Sequence, residues 1–190
     1  MEDALRLLER LAMEAAGIGF YDWDLTTGRL TWDAHLLALF GYTDETFDGT
    51  IEAFDARVHP HDRVRVRETL DAAVATAGEW GAEYRIVLPG GAVRWVTARG
   101  RAIADPDGRT THVLGAAFDT TAHVEADARV VRVLESMPSA FFALDDDLRF
   151  TYVNAEAEKV LGHARAELLG GSVLDLFPAE LTSRFESEYR

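Results

Sequence analysis

The side chains in this sequence that could carry chemistry are histidines and carboxylates, and neither set has the spacing of a reactive site. His59 and His61 are two residues apart, which places two side chains on different faces of a helix, and the remaining histidines are isolated. Asp22, Asp24 and Asp33 surround a predicted hairpin, where aspartates form turns and helix caps more readily than an acid/base pair. The sequence therefore predicts no catalytic residue and no metal site.

Other classes of chemistry lack the residues that they need. The chain has no cysteine, so it forms no disulfide, no thiolate metal site and no cysteine adduct. It also lacks a glycine-rich phosphate loop and a nucleophile elbow. We therefore expect that this chain is not itself an enzyme.

The composition is that of an acidic chain that can build its own core. The chain has 190 residues, 48% of them hydrophobic, and a formal net charge of −14. This charge repels nucleic acid and anionic membranes, and the arginines form no dense patch. There is no apolar run long enough to span a membrane and no secretory signal. Together with the absence of cysteine, these features favour a cytoplasmic location.

The sequence repeats itself. With a shift of 121 residues, the segment from Gly17 to Gly49 aligns without a gap with the segment from Pro138 to Gly170. A period of this length is the size of a small domain. We therefore expect one complete domain over residues 18–121 and the first part of a second copy over residues 138–190. If the second copy lacks its closing strands, its opening strand around residues 141–144 is expected to be disordered or to pair with another chain.

Alternating apolar residues and short turns predict an α+β domain. Strands are expected over residues 18–24, 29–32, 80–88, 93–105 and 110–119, with tight turns that make neighbours antiparallel. We expect Asp33 to cap a helix that Gly41 ends. Asp62 is expected to suit the positive end of a longer helix over residues 63–77. This order of elements predicts a five-stranded sheet with its helices on one face.

Two amphipathic helices are predicted to flank the domain. The first, within residues 1–17, either packs on its own domain or forms half of a dimer seam. The second, over residues 122–137, places Val124, Val131, Leu134 and Met137 on one side. The chain is therefore expected to form a homodimer through these helices or through open strand edges.

A series of short motifs runs through the first copy in a fixed order. They are Trp32-Asp33, Phe40-Gly41-Tyr42, His59-Pro60-His61-Asp62-Arg63, Tyr84-Arg85-Ile86, Gly91-Ala92-Val93-Arg94-Trp95-Val96 and Gly115 followed by Asp119-Thr120-Thr121. The chain thereby resembles PAS domains, the sensor modules of bacterial signalling proteins, over about residues 17–121. It departs from the family pattern at His61, where Asp is usual, and at Thr120, where Ile is common. The second copy resembles the first half of another PAS domain.

The resemblance implies a sheet that cups a small pocket against its helices. Such a domain binds a small ligand or a protein partner and passes the signal along its flanking helices. The output domain that the resemblance implies is a histidine kinase, a PPM-type phosphatase or a diguanylate cyclase. Asp119 and Thr121 match the family's element that ties the sheet to the exiting helix, so they are the expected signal-relay residues. The expected pocket residues are Phe40, Leu70, Val74, Tyr84 and Ile86.

The sequence does not identify the ligand. The resemblance argues against haem, because family members that hold haem use a histidine on the longer helix, and residues 63–77 contain none. Flavin photochemistry of the light-oxygen-voltage type needs the missing cysteine. Trp80, Tyr84, Trp95 and Phe118 are candidates for a binding surface, although a core role is favoured over ligand contact. The alternative function is a ligand-free interaction module with a filled core.

Overall fold

The computed structural model describes residues 16–177 of the chain. The helix predicted within residues 1–17 therefore lies outside the described residues, apart from Ala16 and Gly17. The chain divides between Val124 and Glu125 into two compact units. Within the described residues, no helix is both long enough and apolar enough to cross a membrane.

The first unit contains a five-stranded antiparallel sheet, as predicted. Strand β5 lies at its centre, between β1 and β4, and the order across the sheet is β2-β1-β5-β4-β3. The strands follow the two-residue alternation of their side chains. Along β3, Trp80, Ala82, Tyr84 and Ile86 are buried, whereas Glu79 and every second residue after it lie on the other face. The strands are β1 (Ile18–Asp24), β2 (Leu30–Trp32), β3 (Glu79–Val87), β4 (Val93–Ala104) and β5 (Thr110–Asp119).

Three helices cover one face of this sheet. They are α1 (Ala34–Phe40), α2 (Ile51–Arg57) and α3 (Arg63–Thr76). The Asp33 carboxylate accepts a hydrogen bond from the N–H of Leu36, and Gly41 ends α1 with a φ of 70°, so both predicted caps are present. The buried faces of these helices include Leu36, Phe40 and Leu70, and they pack against the buried face of β3, β4 and β5.

Asp62 lies at the start of α3, as predicted, but its carboxylate binds a residue of β3. It precedes α3, but its side chain makes no cap hydrogen bond. Instead, its carboxylate accepts hydrogen bonds from the backbone N–H of Arg85 (2.9 Å) and from that residue's Nε (2.9 Å) and Nη2 (2.7 Å). The Arg85 hydrogen bonds hold the pKa of Asp62 at about 2. The paired guanidinium competes better for this buried carboxylate than the helix amides do, so Asp62 joins α3 to β3.

The second unit repeats the opening of the first. Strands β6 (Phe142–Leu144) and β7 (Phe150–Val153) form an antiparallel pair, followed by α5 (Ala155–Leu161), α6 (Arg165–Leu168) and α7 (Val173–Leu176). With the shift of 121 residues, α5 coincides with α1, and the cap Asn154 coincides with Asp33. Gly162 and Gly170 have positive φ, as do their equivalents Gly41 and Gly49. The internal repeat is therefore present in the backbone.

Helix α4 (Thr121–Ser136) begins in the first unit and ends in the second. It has no buried residue. Of the stripe predicted along it, Val131 and Met137 are exposed and Val124 and Leu134 are half-buried, while Val130 and Val133 add further exposed apolar surface. This helix therefore carries apolar side chains that the described residues do not cover.

The Asp62–Arg85 pair should contribute stability that depends on pH. The folded-state pKa of Asp62 lies below its ordinary value of 3.8, so this stability is present above pH 4 and is lost as the pH falls towards 2. We expect Asp62→Asn to lower the free energy of unfolding by about 2 kcal/mol at pH 7 and to flatten its dependence on pH between 4 and 2. Urea unfolding followed by tryptophan fluorescence measures both effects in the first unit, because all four tryptophans lie there.

Arg101→Gln is the matched control. Its ion pair with Glu79 has the same chemistry, but the two side chains are 63% and 79% exposed, against 29% and 9% for Arg85 and Asp62. Exposed pairs contribute little, so a change below about 0.5 kcal/mol is expected. Equal losses in the two variants would contradict a special role for Asp62.

Candidate functional site

A small cavity lies between the sheet and the helices of the first unit. Its volume is about 30 Å³. Helices α1, α2 and α3 and every strand except β4 contribute to its lining, which contains no charged side chain. The lining residues are Tyr21, Trp23, Leu30, Trp32, Leu36, Phe40, Ile51, Phe54, Leu70, Trp80, Tyr84, Val113 and Ala117.

The walls of this cavity are apolar and rich in aromatic rings. The rings of Trp32 and Phe40 have centroids 4.6 Å apart, and those of Phe54 and Tyr84 meet edge to face at 5.8 Å. Burial raises the pKa of the Tyr84 phenol far above its usual range, so the phenol stays neutral. The cavity therefore suits a small neutral occupant and disfavours an ion.

Two glycines on neighbouring strands leave room for the Tyr21 side chain. Gly100 and Gly115 face each other across β4 and β5, and Tyr21 pairs with Gly115 from β1. A Cβ atom at either glycine would collide with the Tyr21 hydroxyl. That hydroxyl donates a hydrogen bond of 3.3 Å to the carbonyl of Arg99, and burial raises its pKa. The glycines thus let Tyr21 lie on the sheet and form part of the cavity wall.

The structure places three of the five expected pocket residues along the cavity. These are Phe40, Leu70 and Tyr84. Ile86 is fully buried and Val74 is half-buried, and both belong to the core outside the lining. Whether any of the five contacts a ligand stays a prediction.

The sequence analysis missed the part of the wall that β1 supplies. Tyr21 and Trp23 both line the cavity, and the indole N–H of Trp23 is buried with no hydrogen-bond partner among the described residues. The alternation of Gly19, Tyr21 and Trp23 in β1 was a signal that they share a face. It did not say that this face was the cavity side.

The four aromatic candidates divide between the two faces of the sheet. Trp80 and Tyr84 are buried and line the cavity. Trp95 and Phe118 are half-buried on the opposite face, where the Arg85 guanidinium lies 5.4 Å from the centroid of the Trp95 ring. Only the first pair could contact an occupant of the cavity.

The two expected relay residues lie together where β5 meets α4. The Asp119 carboxylate accepts a hydrogen bond of 2.8 Å from the N–H of Thr121. The hydroxyl of Thr121 accepts one of 2.9 Å from the N–H of Trp95 in β4. Asp119 is also 3.8 Å from Nε of Arg94, whose Nη1 donates to the carbonyl of Leu39 in α1 at 2.8 Å. This junction connects α4 to the sheet and to the end of α1.

The histidines and aspartates form no metal site within residues 16–177, where no group of three potential ligands occurs. Asp24 and Asp33 bind turn and cap N–H groups. Asp22 instead lies 2.9 Å from Nδ1 of His112, and this hydrogen bond raises the pKa of His112. His59 and His61 contact each other through their rings.

The close approach of Tyr21 to Gly115 predicts that a larger residue at this glycine destabilises the first unit. We expect Gly115→Ala to lower the free energy of unfolding of the first unit by about 2–3 kcal/mol, because a Cβ there would collide with the Tyr21 side chain and with the Arg99 carbonyl. Gly90→Ala is the matched control, since Gly90 has an ordinary φ and a Cβ there meets no atom within 4 Å. Tryptophan-detected urea unfolding compares them. A loss in Gly90→Ala as large as in Gly115→Ala would show that these contacts are not the cause.

Comparison with known proteins places both units in one family. The family model PAS_3, described as the PAS fold, matches residues 29–117. A second model, PAS, also described as the PAS fold, matches residues 128–190. The two matches fall on the two copies that the internal repeat defines.

Individual relatives agree with these matches. Sensor protein FixL from Bradyrhizobium diazoefficiens is 25% identical over 185 residues, which make up 94% of this chain and 36% of that protein. The probable diguanylate cyclase DgcE from Escherichia coli is 26% identical over 178 residues, 89% of this chain and 16% of that protein. Among solved structures, a sensory box histidine kinase/response regulator from Burkholderia thailandensis shares 30% sequence identity with this chain and superposes with a TM-score of 0.55. The match covers 65% of this chain and 92% of that one.

The chain spans well under half the length of the curated relatives it matches. The observed sheet order, the helices on one face and both family matches agree. This chain therefore belongs to the PAS family and is homologous to sensory domains of sensor kinases and cyclases.

Proposed function

We propose that the first unit is a sensor that binds a small neutral ligand and relays its presence through α4 to an output domain of the protein. The observation that carries this proposal is the double role of β5. Val113 and Ala117 of this strand line the cavity, and two residues further on Asp119 caps α4. An occupant that moves β5 therefore acts directly on the start of α4.

A second set of contacts leads from the cavity to the same junction. Phe40, at the end of α1, lines the cavity. The carbonyl of its neighbour Leu39 accepts a hydrogen bond from Arg94, which pairs with Asp119. Motion of either β5 or α1 thus reaches one carboxylate. This convergence on Asp119 supports a relay, because a small displacement of either element changes the contact of Asp119 with the start of α4.

The relay is proposed to act within a homodimer in the cytoplasm. Helix α4 exposes Val130, Val131 and Val133, with Met137 just beyond it, and exposed apolar residues on an amphipathic helix favour pairing with a second helix. The output is proposed to be a histidine kinase or a diguanylate cyclase, the activities named for the relatives, with a PPM-type phosphatase as the further expectation from the sequence.

A ligand-free interaction module is the second candidate, and the size of the cavity favours it. A volume of about 30 Å³ holds about two water molecules. A sensor would have to expand this space around its ligand. The buried N–H of Trp23 has no acceptor among residues 16–177, and this favours the sensor instead. A buried donor without an acceptor costs about 1–3 kcal/mol, which a ligand that accepts from it would restore.

Extraction of the purified chain under denaturing conditions separates the two candidates. We expect mass spectrometry of the extract to recover about one small neutral molecule per chain. Ala117→Val narrows the cavity and should remove it, whereas Ala116→Val lies on the opposite face of the same strand and should retain it. An empty extract from the unaltered chain and from Ala116→Val would contradict the sensor and favour the interaction module.

The relay predicts a local effect of Thr121→Val. Valine keeps the shape of threonine but removes the hydroxyl that accepts from the N–H of Trp95, so α4 should separate from β4 more often. We expect hydrogen exchange to accelerate about tenfold at Trp95 and at residues 121–126. Glu125→Gln, an exposed change in the same helix, is the control and should leave both regions unchanged. Equal exchange in Thr121→Val and the unaltered chain would argue against this contact in the relay.

A further inference from the structure

The other end of α4 is held by a buried asparagine of the second unit. Asn154 has no exposed surface. Its Oδ1 accepts hydrogen bonds of 2.9 Å from the N–H groups of Phe141 and Ala157. Its Nδ2 donates to the carbonyl of Leu134 in α4 at 2.9 Å and to that of Ser139 at 3.0 Å. Two donors face the amide oxygen and two acceptors face the nitrogen, so only one orientation of the amide satisfies all four groups.

The equivalent residue of the first copy cannot make the same contacts. Asp33 occupies the corresponding position and caps α1 through the N–H of Leu36, as Asn154 caps α5 through Ala157. In both copies the backbone N–H of the cap donates to the opening strand segment, to Phe20 or to Phe141. A carboxylate has no hydrogen to donate, so only the asparagine can bind carbonyl groups at the end of a preceding helix.

Glu135 supplies a second set of contacts at the same place. Its carboxylate, in the last turn of α4, accepts hydrogen bonds from the Tyr152 hydroxyl (3.0 Å), the N–H of Ala155 (3.1 Å) and Nη2 of Arg165 (2.6 Å). Desolvation raises the pKa of Glu135, but these three hydrogen bonds and the charge of Arg165 outweigh it and lower that pKa overall. The end of α4 is therefore held through both its backbone and a side chain.

We propose that Asn154 and Glu135 form a tether that fixes the carboxyl end of α4 to the hairpin β6–β7 and helix α5. The proposal rests on the relay proposed above for the amino end of α4. With both ends held by hydrogen bonds, a displacement that enters at Thr121 is delivered to the opening hairpin of the second copy. The first copy has Asp33 where the second copy has Asn154. This difference is what allows α4 to pass a displacement to the second unit.

Hydrogen exchange of the full 190-residue chain carrying Asn154→Asp tests the tether. The aspartate can still accept from Phe141 and Ala157, so the α5 cap remains, but it places a carboxylate against the two carbonyl groups that the amide had bound. We expect exchange to accelerate at least about tenfold over residues 133–142, with residues 150–161 retaining their protection. Asn154→Ser, which can cap a helix but is too short to reach Leu134, should give the same pattern.

Asp33→Asn is the matched control in the first copy. Its amide oxygen can still accept from Leu36, so exchange over residues 133–142 should stay unchanged. Unchanged exchange there in Asn154→Asp would overturn the tether. So would a uniform loss of protection over residues 142–176 in both Asn154 variants, since Asn154 would then support the whole unit. The hydrogen-exchange measurement uses no ligand. An extract without a small molecule would therefore contradict the proposed sensor but would not change the exchange result for the tether.

Discussion

The pairing of β1 with β5 is the contact on which the rest of the first unit depends. Ile18 pairs with Phe118 and Asp24 with His112, so the first and last strands of the domain lie side by side. Such contacts are entropically expensive because the intervening chain must be closed into a loop. Burial of the apolar face offsets this cost. The pairing completes the cavity, since Tyr21 and Trp23 of β1 and Val113 and Ala117 of β5 are all part of its wall.

Features set by neighbouring residues were predictable from the sequence, and features set by distant contacts were not. The caps Asp33 and Asn154 and the helix end at Gly41 follow from local hydrogen bonding and positive φ. The role of Asp62 could not be predicted in this way, because Arg85 is 23 residues away and reaches it only once β3 is in the sheet. The position of β5 in the centre of the sheet likewise depends on pairings across the whole domain.

The candidate site was predictable to a smaller extent. Helix periodicity and strand alternation select apolar residues but do not say which of them border an empty space. Phe40 and Tyr84 therefore could not be told apart from Ile86, which packs into the core beside the cavity. Tyr21 was missed for a related reason: its position depends on Gly100 and Gly115, two glycines on other strands that no local pattern connects with it.

The small volume of the cavity limits how a signal could leave it. Protein interiors are close-packed, so an occupant larger than the existing space must displace wall residues rather than compress them. The Tyr21 hydroxyl already lies against the sheet at Gly100 and Gly115, which leaves it no room to move towards β4 and β5. Displacement is then taken up by the strands or by the helices on the other side. In the proposed relay, both routes would lead to Asp119, through β5 itself or through α1 and Arg94. A well-filled core is thus compatible with the proposed sensor, because tight packing would convert a small change in volume into a movement at the junction with α4.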